Sequence, residues 1–162
     1  MKYSPVATDL RRVLWTMKVG QQLERVADEA VNIARRARAM NQHPALPETA
    51  FIQPVYELAS GMLRDAITAF IDGDMKMALA MEQRDEALDD AHAQLIQRMI
   101  KRSEEDASHI GDYVDIMFIV RFLERVGDHA VNIAEDIVYS ESAYDIRHGG
   151  ERPRIEARVR PI

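Results

Sequence analysis

Leu23-Glu24-Arg25-Val26-Ala27-Asp28-Glu29-Ala30-Val31-Asn32-Ile33-Ala34 returns one hundred residues later as Leu123-Glu124-Arg125-Val126-Gly127-Asp128-His129-Ala130-Val131-Asn132-Ile133-Ala134. Ten of the twelve positions are identical, and only Ala27/Gly127 and Glu29/His129 differ. Chance does not produce such a match, so the chain carries two copies of one unit. In both copies apolar residues return every three or four positions, which is the spacing of an amphipathic helix. The repeat therefore fixes an all-α fold class.

The first copy lies in a long helix. Ser4-Pro5 offers a cap and first-turn pair, and Val6, Leu10, Val13, Leu14, Met17, Leu23, Val26, Ala27, Ala30, Ile33, Ala34 and Ala37 form its stripe. It stops near Met40, before two prolines between Asn41 and Pro47. A second helix begins near Ala50 to Pro54, with Val55, Leu58, Ala59, Met62, Leu63, Ala66, Ile67 and Phe70 as its stripe. Asp72-Gly73-Asp74 breaks it, and Asp74 caps a third helix running to about Arg102. The third stripe is Met81, Leu88, Leu95 and Met99, but it also holds Asp85 and His92, which a plain core does not choose. Met75, Met77, Met81 and Met99 read as core filling. The fourth helix starts between Glu104 and Asp112 and reaches about Tyr144, with stripe residues from Ile116 to Ile137.

The two copies are unequally complete. Two helices precede the second copy, so residues 50–144 make a full three-helix unit. Residues 1–45 are only the last helix of a first unit, and roughly sixty residues for two further helices would have to precede it or come from another chain. The first helix is otherwise left with an exposed apolar stripe, which soluble monomers avoid. It packs either as a fourth helix on the three-helix unit or against a second copy, so a homo-oligomer is expected. Residues 145–162 lose the pattern and carry Arg147, Arg152, Arg154, Arg158 and Arg160, an expected disordered, solvated tail.

Composition narrows the function. The 162 residues are one typical domain in length, and 47% of them are hydrophobic, enough for a core. There is no Cys, which excludes a disulfide scaffold, a thiolate metal site and a cysteine nucleophile. A net charge of −6 argues against nucleic-acid binding and leaves room for cations. The longest apolar run, Ile116-Met117-Phe118-Ile119-Val120, falls far short of the ~20 residues a membrane span needs. No apolar run follows Met1-Lys2-Tyr3-Ser4-Pro5 as in a signal peptide, so the expected location is cytoplasmic, without membrane insertion.

The chemistry lies in acidic pairs. Glu24/Asp28 and Glu124/Asp128 are four apart, so each pair shares a helix face at roughly 6 Å. Asp85/Asp89 on the third helix is a similar pair. If the third and fourth helices are antiparallel, Asp85, Asp89, Glu124 and Asp128 meet, and four carboxylates repel unless protons or cations fill the gap. Hard oxygen donors suit Mg²⁺, Ca²⁺, Mn²⁺ or iron. Asn132 and Glu135 lie near the same face. The alternative is surface ion pairing, Arg121 with Glu124, Arg125 with Asp128, and Arg25 with Asp28 or Glu29. Asn32 and Asn132 equally suit helix packing, and His92 reads as a hydrogen-bonded core histidine. A phosphate-cradling glycine loop, a Ser–His–Asp grouping and the Glu-x-x-His pairs of di-iron bundles are all missing, so catalysis has little support.

The segment Leu123 to Glu135, with its echo at Leu23 to Ala34 and the lead-in Asp9-Leu10-Arg11-Arg12-Val13-Leu14, resembles the signature of the PhoU family of bacterial phosphate-signalling regulators. The resemblance covers about residues 5 to 142. It implies two three-helix bundles in tandem, each with a metal cluster of iron, manganese or magnesium held by paired acidic motifs. Carried over by position, one cluster is Asp85, Asp89, Glu124 and Asp128, and the other is represented by Glu24 and Asp28 alone. It implies a negative regulator of phosphate uptake and the phosphate-starvation response, not an enzyme. Such a protein acts between the phosphate ABC transporter, through its ATPase, and a sensor histidine kinase, often as a dimer. The rivals are a metal-dependent hydrolase or oxidase on the same carboxylates and a purely structural bundle.

Overall fold

The computed structural model describes residues 7–142. The expected Ser4-Pro5 cap and the arginine-rich tail lie outside the described residues. The elements are α1 (Ala7–Met40), a 3₁₀ turn (Pro47–Phe51), α2 (Ile52–Asp72), α3 (Met75–Leu79), α4 (Met81–Glu105), a second 3₁₀ turn (Ala107–His109) and α5 (Ile110–Ser142). The all-α expectation holds, and the three-helix unit is α2, α3/α4 and α5 with α1 added as a fourth helix.

The breaks follow local chemistry. Gly73 ends α2 in the left-handed region at φ 67°, which a glycine adopts without steric cost. Asp74 then caps α3 by accepting from the backbone N–H groups of Lys76 and Met77, as expected. The expected third helix is in fact two, because Ala80 ends α3 and α4 starts afresh at Met81. Ala78 and Met81 are both buried, so each piece turns its own apolar residue inward across the break. The turn before α5 is set by Asp106, whose carboxylate accepts from the Ser108 N–H.

α5 is the central helix. One face, including Tyr113, Ile116, Val120, Leu123, Ala130 and Ile137, is buried with Val55, Met62, Leu88 and Met99 of α2 and α4 in one core. The opposite side receives α1. Trp15 meets Tyr139 edge-on, Lys18 pairs with Asp136, Gln22 with His129, Glu29 with Arg125, and Arg36 with Asp115. Rising numbers on α1 meet falling numbers on α5, so the two copies of the repeat lie antiparallel. The hundred-residue offset maps the Glu29–Arg125 pair onto Arg25 and His129, and the Arg25 charge does act on His129. A local pseudo-two-fold axis thus passes between the copies.

The stripe expected to bury α1 is corrected here. Leu10, Val13, Leu14, Met17, Leu23, Ala27, Ala30 and Ala34 are exposed. The face packed on α5 is instead Trp15, Val19, Gln22, Val26, Glu29, Ile33, Arg36 and Met40, which alternates steps of four and three. It contains polar residues, and their partners on α5 decide the choice.

Candidate metal centre

α4 and α5 cross tightly at Gly127. A Cβ there would overlap the Leu88 Cδ2 methyl and reach Met62 Cε at 3.6 Å, so glycine is what allows this approach. The acidic pairs flank this contact: Asp85 and Glu124 stand three residues before Leu88 and Gly127, and Asp89 and Asp128 directly follow them. Close helix packing therefore brings like charges within range of one another.

The electrostatics record the crowding. Partial burial raises the Asp85 carboxyl from 3.8 to about 6, and the charges of Asp89, Asp128, Glu82 and Glu135 add to the rise. Burial likewise raises Glu124, with Asp128, Asp89 and Asp85 contributing against the opposing Arg121. Asp128 rises through burial first and Asp89 next. The four residues expected to meet are thus one interacting set. As the side chains stand, no group of three or more Asp, Glu or His among the described residues is closed into a ligand set. They are charge neighbours across the α4–α5 seam.

Glu124 is the informative member. Its Oε1 accepts from Arg121 Nη1 at 3.1 Å, the surface pairing expected as the alternative. Its Oε2 is buried without a hydrogen-bond partner. A buried, unpaired carboxylate oxygen among other carboxylates costs free energy unless a proton or cation reaches it. Hard oxygen donors of this kind fit Mg²⁺, Mn²⁺ or iron.

Other expected positions separate. Glu24 and Asp28 are exposed on the side of α1 turned away from α5, so the fold does not bring them to the other four. Asn132 donates to the Asp128 backbone carbonyl at 2.9 Å, an exposed bond within α5 and neither a contact with a carboxylate nor one between helices. Arg125 does not stay with Asp128; it crosses to Glu29 at 2.9 Å. His92 is half-buried, and burial and the Arg121 charge hold it below its ordinary value. Sequence reading did not place His129 or Glu29 at a helix seam. Both are buried at the α1–α5 seam, where His129 Nδ1 lies 2.9 Å from Gln22 Oε1. That they are the differing repeat positions beside Ala27/Gly127 was the available signal.

A family model described as the PhoU domain matches residues 1–37 and 52–137. A phosphate-specific transport system accessory protein PhoU homolog of Xylella fastidiosa (strain 9a5c) is 32% identical over 135 residues, 83% of this chain and 57% of the relative. The Pseudomonas aeruginosa homolog is 33% identical over 147 residues, 90% of this chain and 61% of the relative. Among solved structures, PhoU from Pseudomonas aeruginosa superposes with a TM-score of 0.82 at 30% identity, covering 88% of this chain and 69% of that one. The phosphate transport system regulatory protein PhoU from Streptococcus pneumoniae gives 0.76 at 27%, covering 87% and 67%. The chain thus spans little more than half the length of the first curated relatives it matches.

Proposed function

The chain belongs to the PhoU family, and from that premise we propose that it is a regulatory accessory protein of phosphate transport, working as a metal-binding adaptor and not as an enzyme. Its relatives are named accessory proteins of a phosphate-specific transport system, which supports the regulatory reading. No described helix is long and apolar enough to cross a membrane, so contact with a transporter falls to a partner surface. By family resemblance the partners are the phosphate transporter's ATPase and a sensor histidine kinase, met in the cytoplasm by a homo-oligomer.

The observation that carries the metal reading is the buried, partnerless Glu124 Oε2 among Asp85, Asp89 and Asp128. These four side chains would hold the ion. Bound there, the ion supplies positive charge that offsets the crowding of the carboxylates and ties α4 to α5. The residues of this chain do the rest. Leu88 and Gly127 hold the helices close, and Arg121 anchors one oxygen of Glu124. Glu24 and Asp28 are offered as half of a second acidic site.

The test is metal content by mass spectrometry on the purified chain and on the Glu124→Ala/Asp128→Ala double variant, each after incubation with iron, manganese and magnesium. Stoichiometric metal in the native chain, lost in the double variant, is expected. Equal metal in both, or none in either, overturns the metal reading. Pull-down of the transporter ATPase and the kinase by the native chain, weakened by the double variant, is the companion result. Unchanged pull-down would sink the adaptor role of the metal.

A further inference from the structure

The ion pair of Arg121 stays within one helix. Its Nη1 lies 3.1 Å from Glu124 Oε1, one turn along α5, and its side chain is 57% exposed where that of Glu124 is 14%. Other cations beside α5 bridge elements. Arg125 pairs with Glu29, Arg36 with Asp115 and Lys18 with Asp136, each across the α1–α5 packing. Breaking those pairs loosens a helix. Breaking Arg121–Glu124 needs only the rotation of an exposed side chain, and an exposed pair of this kind is weak. The first copy of the repeat lacks this cation: the position matching Arg121 is Gln21, three residues before Glu24.

Arg121 reaches beyond its one partner. Its charge opposes the burial that raises Glu124 and Asp128, and it adds to burial in holding His92 of α4 low. Asp85 is raised by burial and by the like charges of Asp89, Asp128, Glu82 and Glu135. The arginine thus compensates the Glu124 end of an acidic set whose Asp85 end is crowded by like charge. With Oε1 engaged by Arg121 and Oε2 buried without a partner, Glu124 joins no closed ligand set among the described residues. We propose that Arg121 is the resident counter-cation of the metal-free α4–α5 seam, and that Glu124 exchanges it for a divalent cation, releasing the guanidinium to solvent. This exchange rests on the metal reading proposed above. A guanidinium paired with a ligand carboxylate repels an arriving cation, and the same guanidinium relieves the carboxylates when no cation is bound. Its removal therefore acts with opposite signs on the two states. The released arginine also shows metal occupancy at the surface, as an unpaired cation where the metal-free chain has a neutral ion pair.

The test compares the native chain with three variants. Arg121→Gln copies the first repeat and keeps a donor for Glu124, and Arg121→Lys keeps the charge. Arg98→Gln removes an α4 arginine that stacks on Phe51. Mn²⁺ affinity is read by calorimetry at pH 7, and melting temperature is read in chelator and in saturating Mn²⁺. Arg121→Gln is expected to bind Mn²⁺ about fivefold tighter and yet to melt below the native chain in chelator. Saturating Mn²⁺ should close or reverse that gap. Arg121→Lys should keep the native affinity, and Arg98→Gln should stay within about twofold of it. A merely structural arginine moves both readouts the same way. Equal or weaker Mn²⁺ binding by Arg121→Gln therefore overturns the exchange, as does melting no lower than the native chain in chelator. An equal gain in Arg98→Gln assigns the effect to net charge and also overturns it. Glu124→Ala tells the two readings apart. Native binding lost in Glu124→Ala upholds the metal reading whatever Arg121→Gln does. Equal binding in both chains, or none in either, overturns the metal reading and the exchange with it.

Discussion

Gly127 and Leu88 lie so close at the α4–α5 crossing that no β-carbon fits between them. Leu88 is fully buried, so its methyl can give way only by moving against packed neighbours. The same crossing brings the flanking acidic pairs, Asp85/Asp89 and Glu124/Asp128, into range of one another. Packing and charge crowding are therefore linked at one contact.

Gly127→Ala is expected to destabilise the chain. Overpacking a filled core costs ~1–3 kcal/mol, while replacing glycine in a helix returns about 1 kcal/mol. A net loss of up to about 2 kcal/mol in urea denaturation is expected. Leu88→Ala combined with Gly127→Ala should cost less than the two changes summed, because the first removes the atom the second strikes. Full additivity would mean the clash is relieved elsewhere.

Asp85 predicts a pH dependence. Its carboxyl is raised from 3.8 to about 6 in the folded state, so the fold binds this proton more tightly than the unfolded chain. The stability this contributes is fully present below pH 4 and is lost as pH rises through 6. Partial exposure screens the effect, so the loss is about 1 kcal/mol, well below the ~3 kcal/mol that two pH units would give without screening. In chelator-treated protein Asp85→Asn should flatten the melting-temperature profile between pH 4 and 6 and raise the value at pH 7. Added manganese should stabilise the native chain at pH 7 more than it stabilises the variant. An unchanged pH profile in Asp85→Asn would place the raised proton affinity elsewhere.

The α1–α5 seam makes a different prediction. Glu29 is 3% exposed, and its carboxylate receives Arg125 Nη2 at 2.9 Å. Removing the arginine leaves the buried carboxylate with only the long 3.4 Å hydrogen bond from Asn32 Nδ2; breaking a fully buried pair costs ~3–5 kcal/mol. Arg125 is half-exposed, so Arg125→Ala is expected to cost about 2 kcal/mol. Glu29→Gln should cost less, since a neutral amide still accepts from Arg125. Equilibrium unfolding of the single variants and of the pair measures this. If Arg125→Ala proves harmless, the arginine is not what compensates Glu29, and Asn32 or water does so instead.

How far the sequence could be read depended on which residues carried the signal. The α5 stripe from Ile116 to Ile137 was legible because its buried residues are apolar and evenly spaced, and every one of them is inside. That Asp85, Asp89, Glu124 and Asp128 feel one another's charge follows from the pair spacing on each helix, but among the described residues they close no ligand set, because spacing along one helix does not fix the side-chain rotamers that face the next. The buried side of α1 was not legible, since apolar spacing marked Val13, Met17 and Leu23. Burial chose the face of Gln22, Glu29 and Arg36 because Arg125, His129 and Asp115 on α5 receive them. Periodicity within one helix contains no information about the polar partners of another. The break at Ala80 was hidden for a related reason, as alanine is a good helix former and only tertiary packing divides the helix there.

The turn into α5 supplies the last prediction. Sequence alone gave no clear boundary there, and the structure assigns it to Asp106. The carboxylate accepts from the Ser108 hydroxyl and backbone N–H and lies 2.8 Å from His109 Nδ1. These hydrogen bonds, Ser108's first, hold Asp106 down to about 2. A depressed folded value means the stabilisation is present above the ordinary value of 3.8 and is lost as pH falls through 2. Asp106→Ala should lower the melting temperature at pH 7 by about 3–5 °C, in line with the loss of a cap. Asp106→Asn keeps an acceptor for the Ser108 N–H and should lose less. The gap between the native chain and Asp106→Ala should narrow as pH falls from 4 to 2, as the carboxylate is protonated. A gap that stays constant over that range would show that the side chain acts through shape alone and that its charge is idle.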